Sequence, residues 1–446
     1  MSDWLITNAR LVNEGRRQDA DLRIRGGRIE SIAPGLAAQP GERVYDARGR
    51  TLLPGLIDDQ GHFREPGLEH KGDIATESRV AVAGGITSFM EMPNTRPQTI
   101  TLDALHDKYA RAARRSLANY AFYLGATNDN LDVLRSLPRG LACGIKIFMG
   151  ASTGNMLVDD PATQDAIFRD APALLITHCE DQPTMDANLA AERARGGTLT
   201  AERHPWIRSA EGCVKSTRLA IELARRHDAR LHVLHVSTAD EVELFPLGPL
   251  AQRRITAETC VHFLHFDARD YASKGNLIKC NPAIKFERDR EAIVRGLADG
   301  RLAVLATDHA PHTLAEKEQP YEQAPSGLPL VQHALQCALE RVHDGQLALE
   351  TVVERFCHAP AILFGVGERG YLREGYHADL ALVDLDARQL CRREDVLSKC
   401  GWAPFEGYTF RSRVAATWVN GHLAWDGAKL DDSVLGHRLS LARGRD

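Results

Sequence analysis

The chain has 446 residues, 43% hydrophobic and 26% charged, with a formal net charge of −5, which suits a barrel-sized globular core plus a smaller module and offers no basic surface for nucleic acid. No apolar run approaches the ~20 residues that cross a bilayer, and "MSDWLITNARL" lacks the features of a leader, so a cytoplasmic protein with a small-molecule partner is expected. Nine cysteines without a C-x-x-C pair indicate buried thiols, neither a disulfide framework nor a thiolate zinc cluster.

In chain order, the first fifty residues alternate apolar and polar positions between Gly and Pro, as in "WLITNARLVNEG" and "ADLRIRGGRIESIAP", and predict short antiparallel strands. From "GLID" before Asp58 onward, short apolar runs alternate with helical patterns such as "DALHDKYARAARR", "EGCVKSTRLAIELARRHD" and "RDREAIVRGLAD". Eight runs qualify as strands: "GLID", "TSFMEM", "NYAFYLGA", "GIKIF", "ALLIT", "LHVLH", "RITAET" and "LAVLAT". Eight β-α units make a (β/α)₈ TIM-type barrel. A doubly wound sheet would advertise a Gly-rich phosphate turn after its first strand, and none is present. The last eighty residues return to strand patterns in "HADLALVDLD" and "RVAATWVNGHLAWDG". The expected architecture is therefore α/β: residues 55–365 as the barrel, and residues 1–54 with 366–446 as a small β-sandwich built from both ends.

A barrel gathers distant residues only at the C-terminal ends of its strands. Here those ends carry His62, Lys146, His178, His235 and Asp308. One histidine ending a strand is more often a hydrogen-bonded structural residue than a ligand. Five such residues on one rim point to a metal site, and their nitrogen and carboxylate donors suit zinc or a similar divalent ion. Lys146, one of ten lysines, lies between Ile145 and Ile147. Burial would lower its pKa and free the amine to take up carbon dioxide, giving a carbamate able to bridge two cations. Equally, it could reach solvent or pair with a carboxylate.

"DDQGHFREPG", "MPNTRP", "GIKIF", "THCED", "LHVSTADE", "KCNPAIKFERDRE" and "ATDHAPH", together with "GYLREGYHADLALVDLD", resemble the dihydroorotases of the amidohydrolase superfamily over essentially the whole chain. The resemblance implies a homodimeric enzyme with two Zn²⁺ per chain bridged by carboxylated Lys146. Its reaction would be the reversible cyclisation of N-carbamoyl-L-aspartate to L-dihydroorotate in pyrimidine biosynthesis. His62 matches the second His of the family's H-x-H, and His178 and His235 match the ligands of the second metal. Asp308 matches the aspartate that holds the first metal and shuttles the proton.

Arg64 resembles the family's carboxylate-binding arginine, Asn94 and His312 its helpers, and Asn281 a residue that contacts the pyrimidine ring. Without the resemblance, Arg64 could pair with Glu65 or Glu91, Asn94 could be a turn residue, and His312 could cap a helix. Gln60 departs from the pattern, since H-x-H has become Gln60-Gly61-His62. An amide oxygen is a weaker zinc ligand than an imidazole, which implies a weakened first metal site with Gln60 ligating or holding a metal-bound water. Two other readings share much of this pattern: a hydantoinase- or allantoinase-like cyclic amidase, whose rings lack the carboxylate that R-E-P-G and M-P-N-T would serve, and a metal-poor scaffold subunit.

Overall fold

The computed structural model describes residues 3–150 and 156–441; residues 1–2 and 442–446, the outer ends of the expected smaller domain, lie outside them. Five strands come first: β1 (Trp4–Asn13), β2 (Arg16–Arg25), β3 (Arg28–Ala33), β4 (Arg43–Asp46) and β5 (Thr51–Pro54). After the barrel the chain returns as β15 (Leu380–Asp384), a ribbon of β16 (Gln389–Leu390) with β17 (Thr409–Phe410), and then β18 (Arg413–Val419) and β19 (His422–Trp425). Both ends join one sheet in the order β19-β18-β15-β5-β1-β2-β3, with β4 on β1. The sheet curls: Trp4 of β1 meets Trp418 of β18 edge-on at 6.3 Å, and Tyr45 of β4 meets the same ring at 5.1 Å. Alternate residues such as Ile6, Leu22, Leu52 and Leu380 fill this separate core.

The barrel strands are β6 (Leu56–Gly61), β7 (Ile86–Glu91), β8 (Asn119–Phe122) with its continuation β9 (Leu124–Gly125), β10 (Ile145–Phe148), β11 (Leu175–His178), β12 (Leu231–Val233), β13 (Ile255–Cys260) and β14 (Val304–Ala306). Every pairing among them is parallel. All eight expected strands are present, one of them interrupted at Tyr123. The side chains of β7, "ITSFME", are buried on both faces, as parallel strands covered by helices require. Ile57, Met90, Ala121, Ile176 and Val304, from β6, β7, β8, β11 and β14, pack into one apolar cluster.

The crossover helices run where the apolar spacing put them. The longest, Ala210–Arg226, starts at Ser209, whose side chain accepts from Gly212 N, and buries Cys213, Ala220, Ile221 and Ala224. Closure comes from a parallel bridge between Gly61 and His309, where His62 N–H donates to His309 O at 2.7 Å. All nine cysteines are unpaired, eight buried and Cys400 half-buried. Among the described residues no helix is long and apolar enough to cross a membrane.

One fully buried ion pair props the loop after β7. Lys108, on the helix Leu102–Ala112, sits 3.0 Å from Glu91 and donates to Met92 O at 3.1 Å, both side chains having no solvent exposure. Removing one partner strands a charge and typically costs ~3–5 kcal/mol. Lys108→Met is expected to lose stability on that scale in urea unfolding, and adding Glu91→Gln should recover part of the loss. Equal stability of the single and double variants would show that the pair is not coupled.

Candidate active site

One pocket at the C-terminal rim is lined by Gln60, His62, Arg64, Asn94, Lys146, His178, His235, Asn281 and Asp308. It therefore gathers every residue singled out above except His312, which stands behind Arg64 with its Nε2 3.0 Å from Arg64 Nη2. The strand ends place these side chains. His178 ends β11, His62 follows β6, and His235 and Asp308 follow β12 and β14 by two residues, while Lys146 lies one turn of pleat inside β10. Arg64, His235 and Asp308 all adopt positive φ, at 74°, 38° and 50°. Non-glycine residues held in that region carry backbone strain that the surrounding structure must impose.

The hydrogen bonds fix several protons. His62 Nδ1 lies 2.8 Å from Asn94 Oδ1, and its Nε2 lies 3.1 Å from Asp308 Oδ1. An amide oxygen only accepts, so the ring proton is on Nδ1 and Nε2 turns a lone pair towards a carboxylate. On the other side of the pocket, His178 Nε2 lies 2.9 Å from Glu180 Oε2, and its Nδ1 lies 2.9 Å from His235 Nε2. His178 thus presents a second lone pair, and His235 Nδ1 has no partner. Burial lowers the pKa of all three histidines and keeps them neutral donors. Glu180 resists the upward push of its own burial because Arg208 and His178 pull it down to about 2, so it stays an anion that orients His178.

Lys146 is 1% exposed. Its Nζ rests 4.6 Å over the Phe148 ring and makes no hydrogen bond or ion pair with a described residue. Burial takes its pKa down to about 7, against smaller upward pulls from Asp308 and Glu258. Neither the solvent-reaching nor the ion-paired alternative therefore holds. The donor set of three neutral imidazoles, a carboxylate and an unpartnered amine, with the His62 Nε2 lone pair aimed at a carboxylate and that of His178 Nδ1 at the neighbouring imidazole, fits divalent metal binding.

Gln60 takes a place that neither alternative anticipated. Its Nε2 donates to Asp308 Oδ1 at 3.2 Å, and its Oε1 is 3.5 Å from the Cys260 thiol. Burial drives that thiol's pKa far up, so it keeps its proton and can donate. Gln60 thus acts as a hydrogen-bond donor that holds Asp308.

Arg64 is 3% exposed, donates through Nε to Pro311 O at 3.0 Å, and pairs with no carboxylate among the described residues. The two candidates are otherwise engaged: Glu91 by Lys108, and Glu65 by Arg111 and Arg115 at 3.4 and 3.0 Å. Burial lowers the guanidinium pKa to about 10, still well above neutrality. His312 Nδ1 is 2.9 Å from Lys71 Nζ, and Nε2 also reaches Ser326 O at 3.1 Å. One neutral imidazole thus faces two cations, of which Lys71 is paired with Glu316 at 2.9 Å while Arg64 has no carboxylate partner among the described residues. Lys71 was not foreseen; its place in "EHKGD", seven residues after Arg64, carries no motif.

Residues 51–424 match the Amidohydrolase family model. The chain belongs to the amidohydrolase family. Among curated relatives of this amidohydrolase, a dihydroorotase of Halobacterium salinarum is 36% identical over 410 residues, covering 91% of this chain and 93% of that protein. An allantoinase of Bacillus velezensis is 30% identical over 441 residues, covering 97% and 96%. Among solved structures, an L-hydantoinase (dihydropyrimidinase) of Arthrobacter aurescens superposes with a TM-score of 0.91 at 26% identity, covering 99% of this chain and 100% of that one. The protein is accordingly a hydrolytic enzyme on a (β/α)₈ barrel.

The lowered pKa of Lys146 makes a stability prediction. Between about 7 and the ordinary lysine value of 10.5, the unfolded chain binds a proton that folded Lys146 has released, so stability rises with pH through that window. In protein stripped of metal and carbon dioxide, the unfolding free energy of the wild type minus that of Lys146→Met should rise from pH 7 to pH 10.5. A flat difference would mean that the amine is solvated.

Proposed function

We propose that this amidohydrolase is a dihydroorotase, interconverting N-carbamoyl-L-aspartate and L-dihydroorotate, and that it serves pyrimidine synthesis in the cytoplasm as a homodimer. The observation that carries the reading is Arg64: a buried guanidinium at the pocket wall, backed by His312 and without a carboxylate partner among the described residues. A planar guanidinium is suited to a carboxylate through two parallel charge-assisted hydrogen bonds. Dihydroorotate carries such a group next to its ring, whereas hydantoin and allantoin rings do not.

In this reading His62, Asp308 and carboxylated Lys146 would hold one Zn²⁺, and Lys146, His178 and His235 a second. Bound there, zinc supplies Lewis acidity and lowers the pKa of its water from about 16 to about 7. Asp308 Oδ1 takes the proton of the water that attacks the ring carbonyl and returns it to the ring nitrogen as the C–N bond breaks. Gln60 holds that carboxylate in place throughout. Asn281 Oδ1, buried and without a partner, accepts from a ring N–H. Asn94 fixes the tautomer of His62, and His312 braces Arg64. For cyclisation the same proton moves run in reverse.

Replacing Arg64 by Met should lower kcat/KM for dihydroorotate by about 10–150-fold, the equivalent of ~1.5–3 kcal/mol, and affect dihydrouracil far less. Equal losses on both rings would make Arg64 structural. Wild-type turnover of hydantoin or allantoin but not dihydroorotate would give the cyclic-amidase reading, and no turnover of any ring the scaffold.

The orientation of Gln60 bears on the metals. With its amide spent on Asp308 and Cys260, the first site keeps one imidazole against two at the second. Mild chelation should therefore remove one zinc well before the other, and Gln60→His should retain the first more tightly. Loss of both metals together from the natural protein would show that Gln60 does not weaken its site.

A further inference from the structure

Inside the barrel, on the side of the pocket nearer the strands' N-terminal ends, lies a second group of ligating side chains. Asp59 on β6, His232 on β12 and Glu258 on β13 each precede the rim residues of their strands, and all three have no solvent exposure. One ligand atom from each falls within 4.8 Å of the others. His232 Nε2 is 3.0 Å from Glu258 Oε2 and 3.7 Å from Asp59 Oδ2.

These groups satisfy one another only in part. Both carboxylate oxygens of Asp59 and Oε1 of Glu258 lack any hydrogen-bond partner, and no lysine or arginine pairs with either acid among the described residues. The Thr256 hydroxyl donates to Leu231 O at 3.3 Å and lies 2.8 Å from His232 Nδ1. With that hydroxyl donating to Leu231 O and accepting from Nδ1–H, Nε2 turns a lone pair at Glu258; in the other tautomer Nε2–H donates to Glu258 instead. Two buried carboxyl groups and an imidazole nitrogen thus converge with no lysine or arginine paired to them; burial raises the pKa of Asp59 far above the usual range and that of Glu258 to about 8, so without a cation both keep their protons.

We propose that Asp59, His232 and Glu258 form a buried structural site for a divalent first-row metal such as zinc, separate from the pocket. Both oxygens of Asp59, one of Glu258 and Nε2 of His232 would complete a four-coordinate shell with no open position, the hallmark of a structural rather than a catalytic ion. A dication in place of the two carboxyl protons leaves the cluster electrically neutral. Thr256, accepting from Nδ1–H, would hold the tautomer that leaves Nε2 free, as partners behind metal-bound histidines commonly do. The site does not depend on which ring the enzyme opens.

The competing arrangement is Asp59 and Glu258 both protonated, with no ion. Diffraction from zinc-grown crystals on both sides of the zinc absorption edge separates the two. An anomalous peak between Asp59, His232 and Glu258, resolved from any peak at the pocket, is expected. Asp59→Asn should lose that peak and one metal ion per chain by elemental analysis while keeping those at the pocket. Absence of the inner peak in the wild type, whether or not the pocket is filled, overturns the proposal. So does an Asp59→Asn protein with unchanged metal content. Should that variant fail to fold, the wild-type map alone decides.

Discussion

The parallel bridge from Gly61 to His309 is the contact on which the site depends. It joins the first barrel strand to the last across almost the whole barrel sequence, and it turns a curved sheet into a closed one. Closure removes the exposed edges that a parallel sheet would otherwise leave unpaired. It also sets Gln60, His62 and Arg64 against Asp308, Pro311 and His312, so that three of the contacts that define the pocket cross this seam. A shift of one residue there would turn each of these side chains to the other face. The strained backbone at Arg64 and Asp308 sits on either side of the same seam, where the pairing can hold it.

Around the seam the fold separates two electrostatic tasks. One end of the pocket collects neutral imidazoles, Asp308 and an amine that burial keeps close to neutrality. The other end presents Arg64, backed by His312 and without a carboxylate partner among the described residues. A substrate with a scissile amide at one end and a carboxylate at the other meets complementary chemistry at both. The barrel supplies this arrangement because each strand end can be set independently of the others.

Much of this was legible in the sequence, for physical reasons. The barrel strands could be read because parallel strands are apolar on both faces, and the helices because their buried stripes recur at helical spacing. The rim residues could be read because polar side chains terminating apolar runs have few structural excuses. What escaped was everything set by contacts between strands. Nothing local distinguishes His232 from a core histidine, because its meaning lies in Asp59 and Glu258 on strands far away in sequence. Lys71 owes its place to His312 and Glu316, 2.9 Å from each, and so to the loop that follows the last strand. The small β module expected from the chain ends is one continuous sheet curled around its own core, with Trp4 of β1 packed against Trp418 of β18, a closure that alternation along each strand does not specify.

Gln60 shows why a departure from a motif cannot be judged by ligand strength alone. Read along the chain, it is a histidine exchanged for a poorer ligand, and the reasonable expectation is a site that has lost something. In the fold, its amide nitrogen is committed to Asp308 and its oxygen to Cys260. Holding a carboxylate from a fixed donor restricts the directions in which its lone pairs can turn. An imidazole bound to a metal through one nitrogen could not also donate to Asp308 from that atom. In the proposed reading, the glutamine exchanges affinity for the first metal against control over the carboxylate that would accept and return a proton, an exchange that suits a reaction running in both directions.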